Sequence, residues 1–424
     1  MLNNTITLNR TIAPVLQQID KIDFVKPLVF DIAGTTKLFH MKEVPNDTSR
    51  LDLYFDAGTA RGEKGIASFV NGLLLSGTNT KTSVEINGEI DALGGFFESG
   101  ISSENAVLSV YALKENLLPI LKILVDAIDH LAFQTHEVEE IINDRKQKFK
   151  VNMEKVSFLA QREFQSKLFN NSLYGRITDE KDFDLIEVEN LKKFHKKHYL
   201  EGLQKVVIIG DLTDADIHST IELVRQWSLS SNGTYEKDLE NLPGEFHVDK
   251  TGAVQSALRI GRILFNKTHE DYHDFIFLNT ILGDYFGSRL MSNIREDKGY
   301  TYGIGSMVAE LHETGYFLIA TEVGKDVREA TIVEIKKELK LLQEKPIGIE
   351  EVELVRNYLL GQLLKSADGP YSMADLYLSV EPYGLELDFY NQAIESINSI
   401  TPKRIQELAK KYLNWEDFTI VSAG

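Results

Sequence analysis

At 424 residues, 43% apolar and 26% charged, the chain has the balance of a soluble globular protein and too much sequence for one ordinary core, so two or more domains are expected. Its 64 acidic residues against 46 basic ones give a formal charge of −18 with no Lys/Arg stripe to track phosphates, which disfavours nucleic acid and favours cationic ligands such as basic peptides. No apolar run approaches the ~18 residues of a membrane span, no secretory leader is visible and cysteine is absent, so a cytoplasmic protein with no membrane partner and no thiolate chemistry is expected.

The first periodic signals are two apolar runs around Gly34, between Pro27 and Met41, which predict a hairpin. Leu51 to Gly58 alternates as a third strand, and GIASFVNGLLLSGT, Gly65 to Thr78, has helical spacing. Two more strands are predicted over Asp91–Ser99 and Ala106–Leu113. Long helices follow over Leu117–Ala132 and Glu137–Val156, then a shorter one, Val188–Tyr199, feeding the strand Lys205–Gly210. His195-Lys-Lys-His198 reads as an exposed helix end.

Between Ser228 and Gly252 the text is rich in Ser, Asn, Gly and acids, so residues 229–252 are expected to link a first domain, 1–228, to a second, 253–424. Past this linker the order returns: a strand over Ser256–Ile260, a helix over Asp271–Ile294, strands over Tyr300–Ser306 and Gly315–Ala320, then long helices. Phrases recur too. Glu137-Val-Glu-Glu-Ile-Ile and Glu351-Val-Glu-Leu-Val-Arg each open a long helix, and VVIIG and FTIVSAG each close a half. A period of about 210 residues is far beyond the solenoid range and indicates a duplicated domain. Each copy is expected to be α+β, a largely antiparallel sheet with helices packed on one face.

The stretch GDYFGSRLMSNIREDKGYTYGIGS, Gly283 to Ser306, joins a helix end to a strand through Gly299, so that Arg295 and Tyr302 point toward one space. On local pattern alone, an Arg at a helix C-terminus and a Tyr half-buried on a sheet remain an alternative. His269-Glu-Asp-Tyr-His273 matches the His-Glu-x-x-His zinc pattern, but Thr268 reads as an N-cap, which puts these histidines on a solvated first turn. No Gly-x-Ser-x-Gly elbow, Walker-type loop or Gly-x-Gly-x-x-Gly after a strand is present.

The order of GIASFVNGLLLSGT, DALGGFFESGISSENAVLSVYAL, long helices, linker, repeat and SRLMSNIREDKGYTYGIGS resembles the insulinase/pitrilysin family of zinc peptidases over nearly the whole chain. Active members carry an inverted His-x-x-Glu-His motif on the helix matching Gly65 to Thr78. The resemblance lays those positions on Ser68, Asn71 and Gly72, and it puts a third ligand, Glu, in a region that here reads IINDRKQKFKV, Ile141 to Val151, with no Glu. All ligands and the base are missing together, so the resemblance implies no catalytic zinc in this chain.

The family's second half supplies an Arg and a Tyr spaced as Arg295 and Tyr302 are, and some two-chain members keep the zinc motif on one chain and this pair on the other. The resemblance therefore implies a zinc-free subunit that closes the chamber, binds a peptide substrate and lends Arg295 and Tyr302 to a homologous zinc-bearing subunit. It also implies peptide binding at the strand edge Phe97-Glu98-Ser99, where the family's usual Asn-Ala is replaced by Glu98-Ser99, or at the matching edge of the repeat. The competing expectation is a catalytically dead binding or scaffolding protein that keeps the fold. An independent zinc enzyme using His269 and His273 is the third.

Overall fold

The computed structural model describes residues 19–42, 44, 46–229 and 234–424; residues 1–18 and residues 230–233 of the expected linker lie outside them. The first half contains strands β1 (Leu28–Ala33), β2 (Thr36–Met41), β3 (Thr48–Phe55), β4 (Phe96–Ile101), β5 (Ala106–Leu113) and β6 (Leu203–Ile209). Its helices are α1 (Ile66–Leu73), α2 (Ser83–Ala92), α3 (Lys114–Asp129), α4 (Thr135–Met153), α5 (Val156–Leu168), α6 (Val188–His195) and α7 (Asp214–Val224). The second half contains β7 (Gly244–Val248), β8 (Gln255–Leu264), β9 (Thr301–Glu310), β10 (Gly315–Gly324) and β11 (Thr419–Ala423). Its helices are α8 (Tyr272–Leu282), α9 (Arg328–Glu344), α10 (Ile349–Ser366), α11 (Pro370–Val380), α12 (Asp388–Ser399) and α13 (Pro402–Tyr412).

The strands form two mixed, largely antiparallel sheets, β1-β2-β6-β3-β5-β4 and β7-β11-β8-β10-β9. In both, the strand closing the half enters the middle and makes the one parallel pairing, β6 on β2 and β11 on β7. An inner strand is covered on both faces, which is why Val206, Val207, Ile208 and Ile209 are all buried and read as a continuous apolar run. Strand β7 lies inside the stretch expected to be a linker. Both sheets leave one strand open at the end nearest the candidate chemistry, β4 in the first and β9 in the second.

Each sheet packs one face on helices of its own half: Leu53, Phe55 and Leu108 meet Phe69, Val70 and Leu124, and in the second half Ile260 and Ile319 meet Leu278, Ile281 and Ile335. The opposite faces are covered by exchange. Helix α5 lays Leu159, Ala160, Phe164 and Leu168 on Ala257, Leu318, Val421 and Ala423 of the second sheet. Gly261 makes room for it, since a Cβ there would lie 2.8 Å from the Phe164 ring. Helix α11 returns the arrangement, with Tyr371, Ala374 and Tyr377 against Phe39, Met41, Val207 and Ile209 of the first sheet.

The structure corrects several element boundaries. The strand expected over Asp91–Ser99 begins only at Phe96, because Asp91 and Ala92 end α2, whose start is fixed by a capping box: the Thr82 hydroxyl accepts from the Glu85 amide and the Glu85 carboxylate from the Thr82 amide (2.8 Å). The helix expected over Asp271–Ile294 breaks at Gly283, where a Cβ would stand 2.5 Å from Ser306 Oγ on β9. The chain resumes as a π-helical turn, Met291–Asp297, that carries Arg295.

Candidate functional site

Ser68, Asn71 and Gly72 fall three and four residues apart on one face of α1, as ligands on a helix must. Asn71 is buried and fully engaged: its Oδ1 accepts from the Tyr199 hydroxyl (3.2 Å) and its Nδ2 donates to Ser99 Oγ (3.4 Å). Facing the same turn from α4 is Arg145. Its Nη2 donates to the Ser68 carbonyl (2.8 Å) and its guanidinium carbon lies 5.1 Å from the centre of the Phe69 ring. A Cβ at Gly72 would sit 2.8 Å from Arg145 Nη2 and 2.6 Å from Ile141 Cδ1, so a side chain at 72 and this placement of Arg145 exclude each other. Arg145 lies inside IINDRKQKFKV, where the resemblance expects a Glu, and local pattern gives it no role. The available signal was the spacing of Ile141 and Arg145 on one face of α4.

Phe97, Glu98 and Ser99 lie on β4, the outermost strand of the first sheet. Phe97 is half-buried, while Glu98 and Ser99 are exposed, and Glu98 accepts from the Tyr111 hydroxyl on β5 (3.1 Å). The contact of Ser99 with Asn71 brings this edge against α1, so the edge and the Ser68–Gly72 face form one surface.

Arg295 and Tyr302 line a common cavity of about 560 Å³ together with Gln255, Tyr300 and Glu322. The turn between them uses Gly299 at φ +66°, and Lys298 and Tyr300 donate their amides back to the carbonyls of Asn293 and Ile294. Arg295 rests over the Phe286 ring at 4.7 Å, and its closest acid is the adjacent Glu296 at 3.8 Å. The alternative of a half-buried sheet tyrosine does not hold: Tyr302 is 96% exposed, and among the described residues its hydroxyl has no hydrogen-bond partner. Ile304 and Ser306 on the same strand are buried, and Tyr302 stands at the irregularity where the pairing of β9 with β10 passes from Ile304 to Thr301 and leaves it without a partner.

The two histidine motifs differ from expectation. Helix α8 starts at Tyr272 with Asp271 as its N-cap, and Thr268 instead bonds Asn266 Oδ1 (2.8 Å), so His269 precedes the helix and the two histidines share no helical face. His269 stacks on Phe265 (4.1 Å between centroids) and His273 packs on Phe389 (4.3 Å). His195 and His198 are buried at 5% and 6% exposure rather than at an open helix end. The helix turns them onto Phe133, Phe194 and Tyr199, leaving the lysines between them in water. His198 Nδ1 donates to the Asp56 carbonyl (2.6 Å).

Burial pushes the pKa of His195, His198 and His273 down to about 4. Each folded value lies below the unfolded value of about 6.5, so the stabilisation is complete above that pH and is lost as pH falls from about 6.5 toward 4. The melting temperature is expected to decline across that window. His195→Phe should flatten the decline, because His195 Nε2 has no hydrogen-bond partner among the described residues. Equal slopes for the two proteins would show that His195 does not contribute to acid sensitivity.

A duplicated α+β chain with two sheets closed by their last strands, and candidate residues at the open edge of each, has the architecture of a two-domain metallohydrolase. The chain belongs to the M16 insulinase family. The family model described as Insulinase (Peptidase family M16) matches residues 39–178, and the one described as Peptidase M16 inactive domain matches residues 186–359. An uncharacterized zinc protease of Bacillus subtilis, YmxG, is 23% identical over 365 residues, 84% of this chain and 87% of its own. A probable mitochondrial-processing peptidase subunit beta of Arabidopsis thaliana is 21% identical over 407 residues, 89% of this chain and 74% of its own. The crystal structure of a peptidase M16 inactive domain from Pseudomonas fluorescens shares the fold at TM-score 0.86 and 23% identity, over 94% of this chain and 98% of that one.

The family includes zinc proteases, and zinc does not fit the residues present here. Ser68 and Asn71 offer weak neutral oxygens, Gly72 offers nothing, and the guanidinium of Arg145 puts positive charge where a cation would have to sit. Among the described residues, no group of three or more His, Cys, Asp and Glu is placed to hold a metal. No described helix is long and apolar enough to cross a membrane.

Proposed function

We propose that this chain is the zinc-free subunit of a two-chain metallopeptidase: it pairs with a homologous subunit that carries the zinc motif, helps enclose a peptide, and presents Arg295 and Tyr302 to it. The observation that carries this reading is the fully exposed Tyr302, without an intramolecular bond among the described residues, sharing a cavity with Arg295 while the metal positions of the same chain are Ser68, Asn71 and Gly72. A tyrosine with no internal work in the fold is available to a ligand. A guanidinium can hold a peptide carbonyl or carboxylate, and a phenol can donate to an oxygen that gains negative charge. Similarity to a processing-peptidase subunit supports a paired state, and the open edges of β4 and β9 suit addition of an extended peptide. The division 1–228, 229–252 and 253–424 belongs to the same reading, with the first part contributing the edge Phe97-Glu98-Ser99 and the second the Arg/Tyr pair.

The test is co-expression with a homologous chain of similar length that keeps an intact His-x-x-Glu-His. The pair is expected to co-purify and cleave peptides, while this chain alone contains no stoichiometric zinc and cleaves none. About one tightly bound zinc in this chain, lost on His269→Ala or His273→Ala, would reverse the reading in favour of an independent metalloenzyme. Stable pairing without any requirement for Arg295 or Tyr302 would favour the scaffold.

A further inference from the structure

The guanidinium of Arg145 is half withdrawn from water, and although the charge of the adjacent Asp144 reaches it, no close ion pair forms among the described residues. Among the described residues its one protein acceptor is the Ser68 carbonyl, and no carboxylate oxygen lies within 4.0 Å. Buried cations are ordinarily paired, and this chain has 64 acidic residues from which to supply a partner. Burial lowers the Arg145 pKa from its usual value, yet a guanidinium remains charged at any physiological pH. The guanidinium occupies the place that a side chain at the exposed Gly72 would take, since a Cβ there would lie 2.8 Å from Arg145 Nη2. The neighbouring position on the same face, Asn71, touches Ser99 on the free edge of β4. An unpaired cation is thus held next to a strand edge that can accept a peptide.

We propose that Arg145, over the face of α1 left bare by Gly72, is a receptor for a carboxylate of a peptide lying along β4, either its C-terminal carboxylate or an acidic side chain. The N–H groups of Arg145 not used on Ser68 match the two oxygens of a carboxylate, and the Phe69 ring holds the guanidinium plane from behind. The inference rests on the reading that β4 receives an extended peptide. It runs against the net charge of −18, which on its own favours basic peptides, so a preference for acid here would have a local origin.

Fluorescence anisotropy with the intact chain tests it, using three labelled peptides rich in Val and Thr: one neutral with an amidated C-terminus, the same peptide with a free C-terminal carboxylate, and the amide with one central Gln changed to Glu. At least one acidic peptide is expected to bind about tenfold more tightly than the neutral amide, as charged hydrogen bonds allow, and which one does so identifies the source of the carboxylate. In Arg145→Gln, with its melting temperature measured alongside, that preference should vanish, and Arg145→Lys should recover part of it. Equal binding of all three peptides to the unmodified chain overturns the proposal while leaving the peptide reading standing. Persistence of the preference in a folded Arg145→Gln also overturns it. If none of the three binds, the peptide reading fails and this inference fails with it.

Discussion

Arg295→Ala and Tyr302→Phe are each expected to lower turnover by the assembled pair of subunits about 10²- to 10³-fold, or ~3–4 kcal/mol in the barrier, with folding and pairing intact. The geometry separates the two effects. Arg295 is stacked on Phe286, so its loss also removes packing on an exposed ring, whereas the Tyr302 hydroxyl has no partner among the described residues whose loss could disturb the fold. Tyr302→Phe removes one oxygen and nothing else, which makes it the sharper probe. The comparison needs equal concentrations of assembled pair and melting temperatures measured in parallel, because a weakened subunit lowers apparent rate by mass action. Full activity in both variants at unchanged stability would leave the pair without a catalytic part.

The largest expected stability effect is at Asp271. Its buried carboxylate receives Lys411 Nζ (2.7 Å), Arg404 Nη2 and the Tyr412 hydroxyl, tying the start of α8 to α13. Asp271→Ala is expected to cost about 3 kcal/mol in urea unfolding, the lower end for a broken buried pair because Arg404 and Lys411 keep part of their charge in water. Burial alone would raise this carboxyl's pKa, but the bonds from Lys411, Tyr412 and Arg404 outweigh it and hold it well below the usual range. With the folded value depressed, the contribution is present above about pH 4 and is lost as pH falls below it. His269→Ala, two residues earlier, should cost far less. A silent Asp271→Ala would mean that the cluster only repays its own desolvation.

The same residue shows how far sequence could go. Asp271 stands inside His-Glu-Asp-Tyr-His, but its partners lie on α13, more than a hundred positions away, and no local pattern announces them. The strands were readable where one rule governed them: alternation in Leu51-Asp-Leu-Tyr-Phe, and an unbroken run in the doubly covered Val206 to Ile209. The duplication and the loss of metal-ligating side chains were readable too, since both are statements about residue types in order. Burial of His195 and His198 was not, because a run of two lysines between histidines looks solvated, and only the turn of the helix separates the buried pair from the wet one. The partnership of Gly72 with Arg145 was hidden for a related reason: it is a contact between helices, and its meaning lies in the space a side chain would have filled.

Because α5 and α11 are exchanged, neither half of this duplicated chain is a module in the evolutionary sense. A gene fragment encoding one half alone would make a sheet with a bare face, Ala257, Leu318 and Val421 in one case or Phe39, Met41 and Val207 in the other, a surface open to aggregation. Each sheet keeps its core closed only while a helix of the other copy lies on it, so the two copies can differ in chemistry at their open edges without becoming separable.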